Sequence, residues 1–242
     1  MTNPVTTQWI DIAPGFAGYL ALPPAGRGPG LVLWQEIFGV NEHIRAVAEQ
    51  YALDGFVVLA PDAFWRDAPR VELGYEGDDR QRALTLMKAY AAADALADIA
   101  ASVACLRARP EVVTAATAAG AAGPAKVGSF GYCMGGRLAY LAAATTDIDA
   151  AVAFYGGGIH LQLERAAAVR CPIQFHYAGH DDNILPAAVD SVRAAFVGKP
   201  AEVFVYPGSD HGFNCWARST YHAPSAALAH GRALAFLAAA LV

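Results

Sequence analysis

One segment narrows the choice of fold more than any other. In VGSFGYCMGGRLAYLA, from Val127 to Ala142, an apolar run breaks at a glycine-flanked cysteine and restarts as an apolar helix. A strand made almost wholly of apolar and small residues needs cover on both faces, as in a parallel sheet sandwiched between helices. The same alternation of short apolar runs and longer helical stretches recurs along the chain. Strands are predicted at Tyr19–Ala21, Gly30–Gln35, Gly55–Ala60, Ala125–Phe130, Ala150–Tyr155, Ile173–Ala178 and Glu202–Tyr206. Helices are predicted at Asn41–Asp54, where Ile44, Val47, Ala48 and Tyr51 form a stripe, and at Gly136–Ala144, Pro186–Phe196 and Pro224–Leu241. The Ala-rich stretch Arg80–Arg109 reads as one long helix or two consecutive ones. We expect an α/β fold with a mostly parallel central sheet, helices on both faces, and a single domain over residues 1–242. The small-residue stretch Thr114–Ala125 reads as a surface connection, because the strand and helix alternation continues across it.

Composition excludes several classes of partner. With 55% hydrophobic and 16% charged residues, the chain is unlike a disordered polymer. A net charge of −5 and no run of Lys and Arg remove the footprint of a nucleic-acid or anionic-membrane binder, so a small-molecule partner is expected. The C-terminal ALAFLAAALV falls short of the roughly 18 apolar residues of a bilayer span. The N-terminus lacks the basic start of a signal peptide, which points to the cytoplasm. Cys105, Cys133, Cys171 and Cys215 are far apart and lack zinc-site spacing, so neither disulfides nor a structural zinc are expected.

Cys133 has the context of a nucleophile on a sharp strand-to-helix turn. Such a residue sits in a strained backbone conformation that demands small neighbours two positions away, here Gly131 and Gly135. The helix N-terminus behind it favours a thiolate. The plain alternative is a buried structural cysteine at a glycine-rich turn; Cys105, Cys171 and Cys215 are read as such core or surface thiols. Downstream, the strand ending in Gly179-His180-Asp181-Asp182-Asn183 offers two aspartates, either able to orient a histidine. The strand leading into Asp210-His211-Gly212-Phe213 puts His211 near the same sheet edge, the best general base of the seven histidines. An acidic turn that caps a helix and a solvated loop histidine are the structural alternatives, and the ordered set of three argues against them. His176 and His180 straddle a strand end, so no metal site is expected; His43, His160, His222 and His230 are read as surface or helix-face residues without a role.

These residues carry a resemblance to the dienelactone hydrolases of the α/β-hydrolase superfamily. The matching segments are Trp34-Gln35-Glu36-Ile37-Phe38-Gly39-Val40-Asn41, Ala60-Pro61-Asp62, Gly131-Tyr132-Cys133-Met134-Gly135-Gly136, Phe154-Tyr155-Gly156, Gly179 to Pro186, and His211-Gly212-Phe213. The resemblance implies an α/β-hydrolase fold and a Cys133–His211–Asp182 triad, because the family's acid stands three residues after the glycine that Gly179 matches. It implies that Glu36 contacts the resting thiol and helps ionise it, and that the backbone N–H groups of Ile37 and Met134 form the oxyanion hole. No cofactor is implied.

In the family two arginines grip a substrate carboxylate. The first corresponds to Arg82, with Arg80 as competitor, and the second position is Cys215 here, with Arg218 and Trp216 nearby in sequence. Phe38, Trp65, Tyr132 and Trp216 are candidates to line an apolar pocket. The leading expectation is hydrolysis of an enol-lactone (dienelactone) in aromatic-compound catabolism through a thioester. The alternatives are a carboxylesterase or thioesterase for neutral or bulkier esters, and a non-enzymatic binding protein on the same scaffold. A monomer is expected.

Overall fold

The protein is described by a computed structural model over residues 4–113 and 125–242. Eight strands form one sheet: β1 (Thr6–Ala13), β2 (Phe16–Leu22), β3 (Gly30–Trp34), β4 (Val57–Pro61), β5 (Val127–Tyr132), β6 (Ala150–Phe154), β7 (Ile173–His180) and β8 (Ala201–Asp210). Their order is β1-β2-β4-β3-β5-β6-β7-β8. The strands from β4 across to β8 are parallel, and β2 runs antiparallel to both its neighbours. The mostly parallel α/β sheet of the sequence reading is therefore present. Every residue of β3, β4, β5 and β6 is buried, which is why those runs are apolar throughout.

β1 was not expected. Its sequence TTQWIDIA mixes polar and apolar residues and half of it is exposed, since an edge strand takes its identity from pairing with β2 and not from an apolar run. The small-residue reading from Thr114 onward falls outside the described residues.

The helices are α1 (Glu42–Leu53), α2 (Gly77–Ala89), α3 (Ala92–Arg107), α4 (Met134–Thr145), α5 (Pro186–Ala195) and α6 (Ala223–Leu241). Asn41 caps α1 by accepting from the Ile44 N–H, and the Arg80–Arg109 stretch resolves into two helices that meet at 89°. Crossovers reverse direction at β3, so right-handed connections place α1 on one face and α3, α4 and α5 on the other. α6 returns beside α1, where His230 meets Tyr51 edge-on at 5.1 Å. By length and hydropathy α6 is the one single helix among the described residues able to cross a membrane. Its buried Ala226, Ala229, Ala233, Leu237 and Leu241 nevertheless form a one-sided stripe, and the helix contacts β5, β6 and β8. The strand order reverses between β3 and β5, and loops leaving their C-terminal ends converge there, where ligands collect in open α/β sheets.

Candidate active site

Cys133 occupies the single residue between β5 and α4, with φ 57° and ψ −115°. A left-handed φ in a residue bearing a side chain costs about 1–3 kcal/mol and must be enforced by its surroundings. The enforcement is visible on both sides. A Cβ on Gly131 would stand 2.4 Å from the Gly135 carbonyl oxygen, and one on Gly135 would stand 2.2 Å from that of Trp34. The start of α4 is thus pressed onto the end of β3, which brings Met134 and the Glu36-Ile37 loop to one place. Met134 opens α4, where the first N–H groups have no intrahelical acceptor.

The histidine and its acid are brought together by strand register. β7 and β8 are paired through His180 opposite Asp210, so the next residue on each strand, Asp181 and His211, emerge side by side. His211 Nδ1 and Asp181 Oδ2 are 2.7 Å apart. The other oxygen of Asp181 accepts from the N–H groups of Asn183 (2.9 Å) and Ile184 (3.1 Å), and the residue is only 6% exposed. Asp182, which the resemblance implied as the acid, is exposed. Its place one residue further along the chain turns it away from His211, because side chains leaving a strand alternate in direction. The acid facing His211 is Asp181.

His211 packs edge-on against Tyr155 at 5.1 Å, and Phe213 anchors the loop against Tyr155 and Tyr206. Tyr155 itself has φ 37°. Burial depresses the proton affinity of His211, but the charge of nearby Cys133 and hydrogen bonds with Asp181 and Cys133 outweigh it and raise the pKa to about 10. A proton on His211 is therefore held by its surroundings more tightly than on a free imidazole.

Glu36 is 1% exposed, and burial raises its pKa while the Arg218 cation pulls the other way. Its Oε1 accepts from Arg218 Nη1 at 3.1 Å, and its Oε2 has no hydrogen-bond partner. Glu36 is thus held by Arg218, whose guanidinium enters the site from the loop after His211. Gly212, at φ 85°, makes room for it: a Cβ there would stand 2.5 Å from Arg218 Nη1. The guanidinium also lies 5.9 Å from the ring centres of Phe38 and Tyr75. Cys215 is fully buried, its thiol 3.5 Å from the Tyr75 hydroxyl, and burial pushes its pKa up to about 12, so it stays protonated.

The other expected residues divide. Phe38 is buried and meets Tyr75 edge-on at 4.6 Å, beside Arg218. Trp216 is 46% exposed and borders a cavity with Tyr75. Tyr132 is only 2% exposed and stacks on Phe154 at 4.8 Å, within the core. Trp65 stacks on Phe16 and hydrogen-bonds Asp98, which makes it scaffold. Arg80, and not Arg82, borders a cavity of about 400 Å³ together with Arg218 and Tyr75. Neither Tyr155 nor Tyr75 was assigned a role from sequence. Tyr155 lies in the Phe154-Tyr155-Gly156 match, the one available signal, and Tyr75 had none.

A mostly parallel sheet with Cys133, Asp181 and His211 gathered in that chain order at its C-terminal edge defines an α/β hydrolase. The structure of a dienelactone hydrolase-like promiscuous phosphotriesterase from metagenomic libraries shares this fold, with a TM-score of 0.82 at 20% identity over 98% of this chain and 99% of that one. The particular family follows from sequence: the dienelactone hydrolase family model matches residues 16–241, and the chain belongs to that family. The carboxymethylenebutenolidase of Pseudomonas sp. (strain P51) is 33% identical over 223 residues, 92% of this chain and 89% of that protein. That of Pseudomonas knackmussii is 33% identical over 241 residues, 98% of this chain and 97% of that protein. The chain is accordingly a hydrolase of the carboxylic-ester class.

Proposed function

We propose that this protein opens an enol-lactone bearing a carboxylate, by nucleophilic attack of Cys133 and a thioester intermediate. The observation that carries the reading is the 2.7 Å pairing of Asp181 with His211 beside a cysteine at φ 57°. The Cys133 thiolate adds to the lactone carbonyl, and the oxyanion is received by the N–H groups of Ile37 and Met134. Collapse breaks the ring C–O bond, and the enolate oxygen leaves with the proton held on His211. Neutral His211 then takes a proton from water, the hydroxide attacks the thioester, and Cys133 departs as thiolate. Asp181 fixes the imidazole's orientation throughout.

Arg218 and Arg80 share one cavity and so are the pair proposed to hold the substrate carboxylate. This assigns to Arg218 the place that Cys215 leaves empty of charge. The substrate class is that of the carboxymethylenebutenolidases to which the chain is similar.

The test is steady-state hydrolysis of dienelactone isomers beside p-nitrophenyl acetate, with wild type, Cys133→Ala and Arg218→Gln. Cys133→Ala should abolish both activities. Arg218→Gln should lower kcat/KM for the anionic lactone by about 10- to 100-fold more than for the neutral ester, the worth of a charge-assisted contact. Full activity in Cys133→Ala overturns the nucleophile, and equal losses on both substrates overturn the carboxylate assignment.

A further inference from the structure

His43 was read from sequence as a surface or helix-face residue, yet it is only 2% exposed, and both ring nitrogens lack a hydrogen-bond partner. A buried polar group left unmatched costs about 1–3 kcal/mol, so such a group calls for an explanation. Its cover is unusual. Trp216, the adjacent half-exposed side chain, stands edge-on to the imidazole with ring centres 4.2 Å apart. Both residues border a cavity of about 460 Å³ whose walls include Tyr75 and Leu73.

This cavity adjoins the proposed carboxylate cavity, sharing Tyr75 and Ala217 with it, but the two differ in charge. The one beyond Tyr75 contains Arg80 and Arg218, whereas this one is bordered by Glu42 and Glu72. Glu72 is paired with Arg45 at 2.6 Å, and no lysine or arginine among the described residues lines this cavity, so it offers an anion no partner. Burial, helped by the Arg218 cation, lowers the His43 pKa to about 4, so its ring is neutral at physiological pH, with one nitrogen able to donate and one able to accept.

We infer that this cavity is a second substrate subsite, which takes a neutral planar ring bearing a hydroxyl or carbonyl oxygen, sandwiched by Trp216 and Tyr75 and hydrogen-bonded to His43. The two cavities flanking Tyr75 then sort a substrate by polarity, with its anionic end toward Arg80 and Arg218 and its neutral, unsaturated end toward His43. Trp216 serves as a movable wall: its indole must swing outward, into the solvent it already faces, for a ligand to reach the imidazole. This inference rests on the proposed Cys133 hydrolase reading for its kinetic test but not for its binding test.

The kinetic test compares 4-hydroxyphenyl acetate with phenyl acetate, taking the ratio of their kcat/KM values so that effects common to both cancel. In His43→Phe the preference for the hydroxylated ester should fall about five- to tenfold relative to wild type, the worth of one neutral hydrogen bond. His43→Gln, which keeps a donor and an acceptor, should restore part of it. The binding test titrates p-cresol, then toluene, into folded Cys133→Ala protein while the His43 ring resonances are followed by NMR. Movement of those resonances with p-cresol and not with toluene supports the subsite. An unchanged ratio in His43→Phe, or His43 signals that ignore p-cresol because the cavity holds only water, overturns it. If wild type cleaves neither ester, the p-cresol titration alone decides the subsite.

Discussion

Two carboxylates, Asp181 and Glu36, are almost equally hidden from solvent and are held in opposite ways. Asp181 accepts from two backbone N–H groups and pairs with His211, so both its oxygens are committed. Glu36 has one oxygen on Arg218 and the other unmatched, and its proton affinity is raised by burial. A fully satisfied buried carboxylate is fixed in orientation, whereas a half-satisfied one is ready to change partner. The difference matches the proposed roles, Asp181 holding the imidazole and Glu36 moving a proton.

The largest effect should come from breaking the fixed member. Asp181→Asn should lower kcat on p-nitrophenyl acetate by about 10⁴-fold, because an amide favours the wrong imidazole tautomer. Asp182→Asn should leave it within about twofold. A reversed order would restore Asp182 as the acid and contradict the β7 and β8 register argument.

A smaller loss, about 100-fold in kcat/KM, is expected for Glu36→Gln if its role is proton transfer. The same substitution strips Arg218 of its counter-charge, so the melting temperature should fall as well. A loss of activity as deep as that of Asp181→Asn would mean that both carboxylates serve as fixed orienting groups, and the comparison would collapse.

The smallest effect concerns stability against pH. The His211 pKa is raised from an ordinary 6.5 to about 10, so the folded state holds this proton more tightly than the unfolded chain. The associated stability is complete below about pH 6.5 and is lost as pH rises toward 10. The urea midpoint of wild type should decline across that window, and the decline should be shallower in His211→Gln. Equal slopes in the two proteins would show that the imidazolium is not the group responsible.

What could be read before folding and what could not separate along physical lines. The elbow was legible because its constraints are local: a left-handed cysteine requires small residues two positions to either side, and Gly131 and Gly135 state this in the sequence. The parallel strands were legible because burial on both faces leaves an apolar run. β1 was missed because an edge strand is defined by its partner.

The choice between Asp181 and Asp182 was not local, since adjacent residues of one type differ only in the direction they point, and that direction is set by which residue of β8 stands opposite His180. His43 looked like one more helix residue until Trp216, far away in sequence, was laid over it. Arg218 reaches Glu36 by a route over Gly212 that no spacing rule describes. The sequence by itself determined the sheet, the sharp turn and the chemical types of the reacting groups, since these follow from neighbours a few residues apart. Tertiary structure alone decided which aspartate, which arginine and which histidine face the site, because those choices rest on register and on contacts between distant parts of the chain.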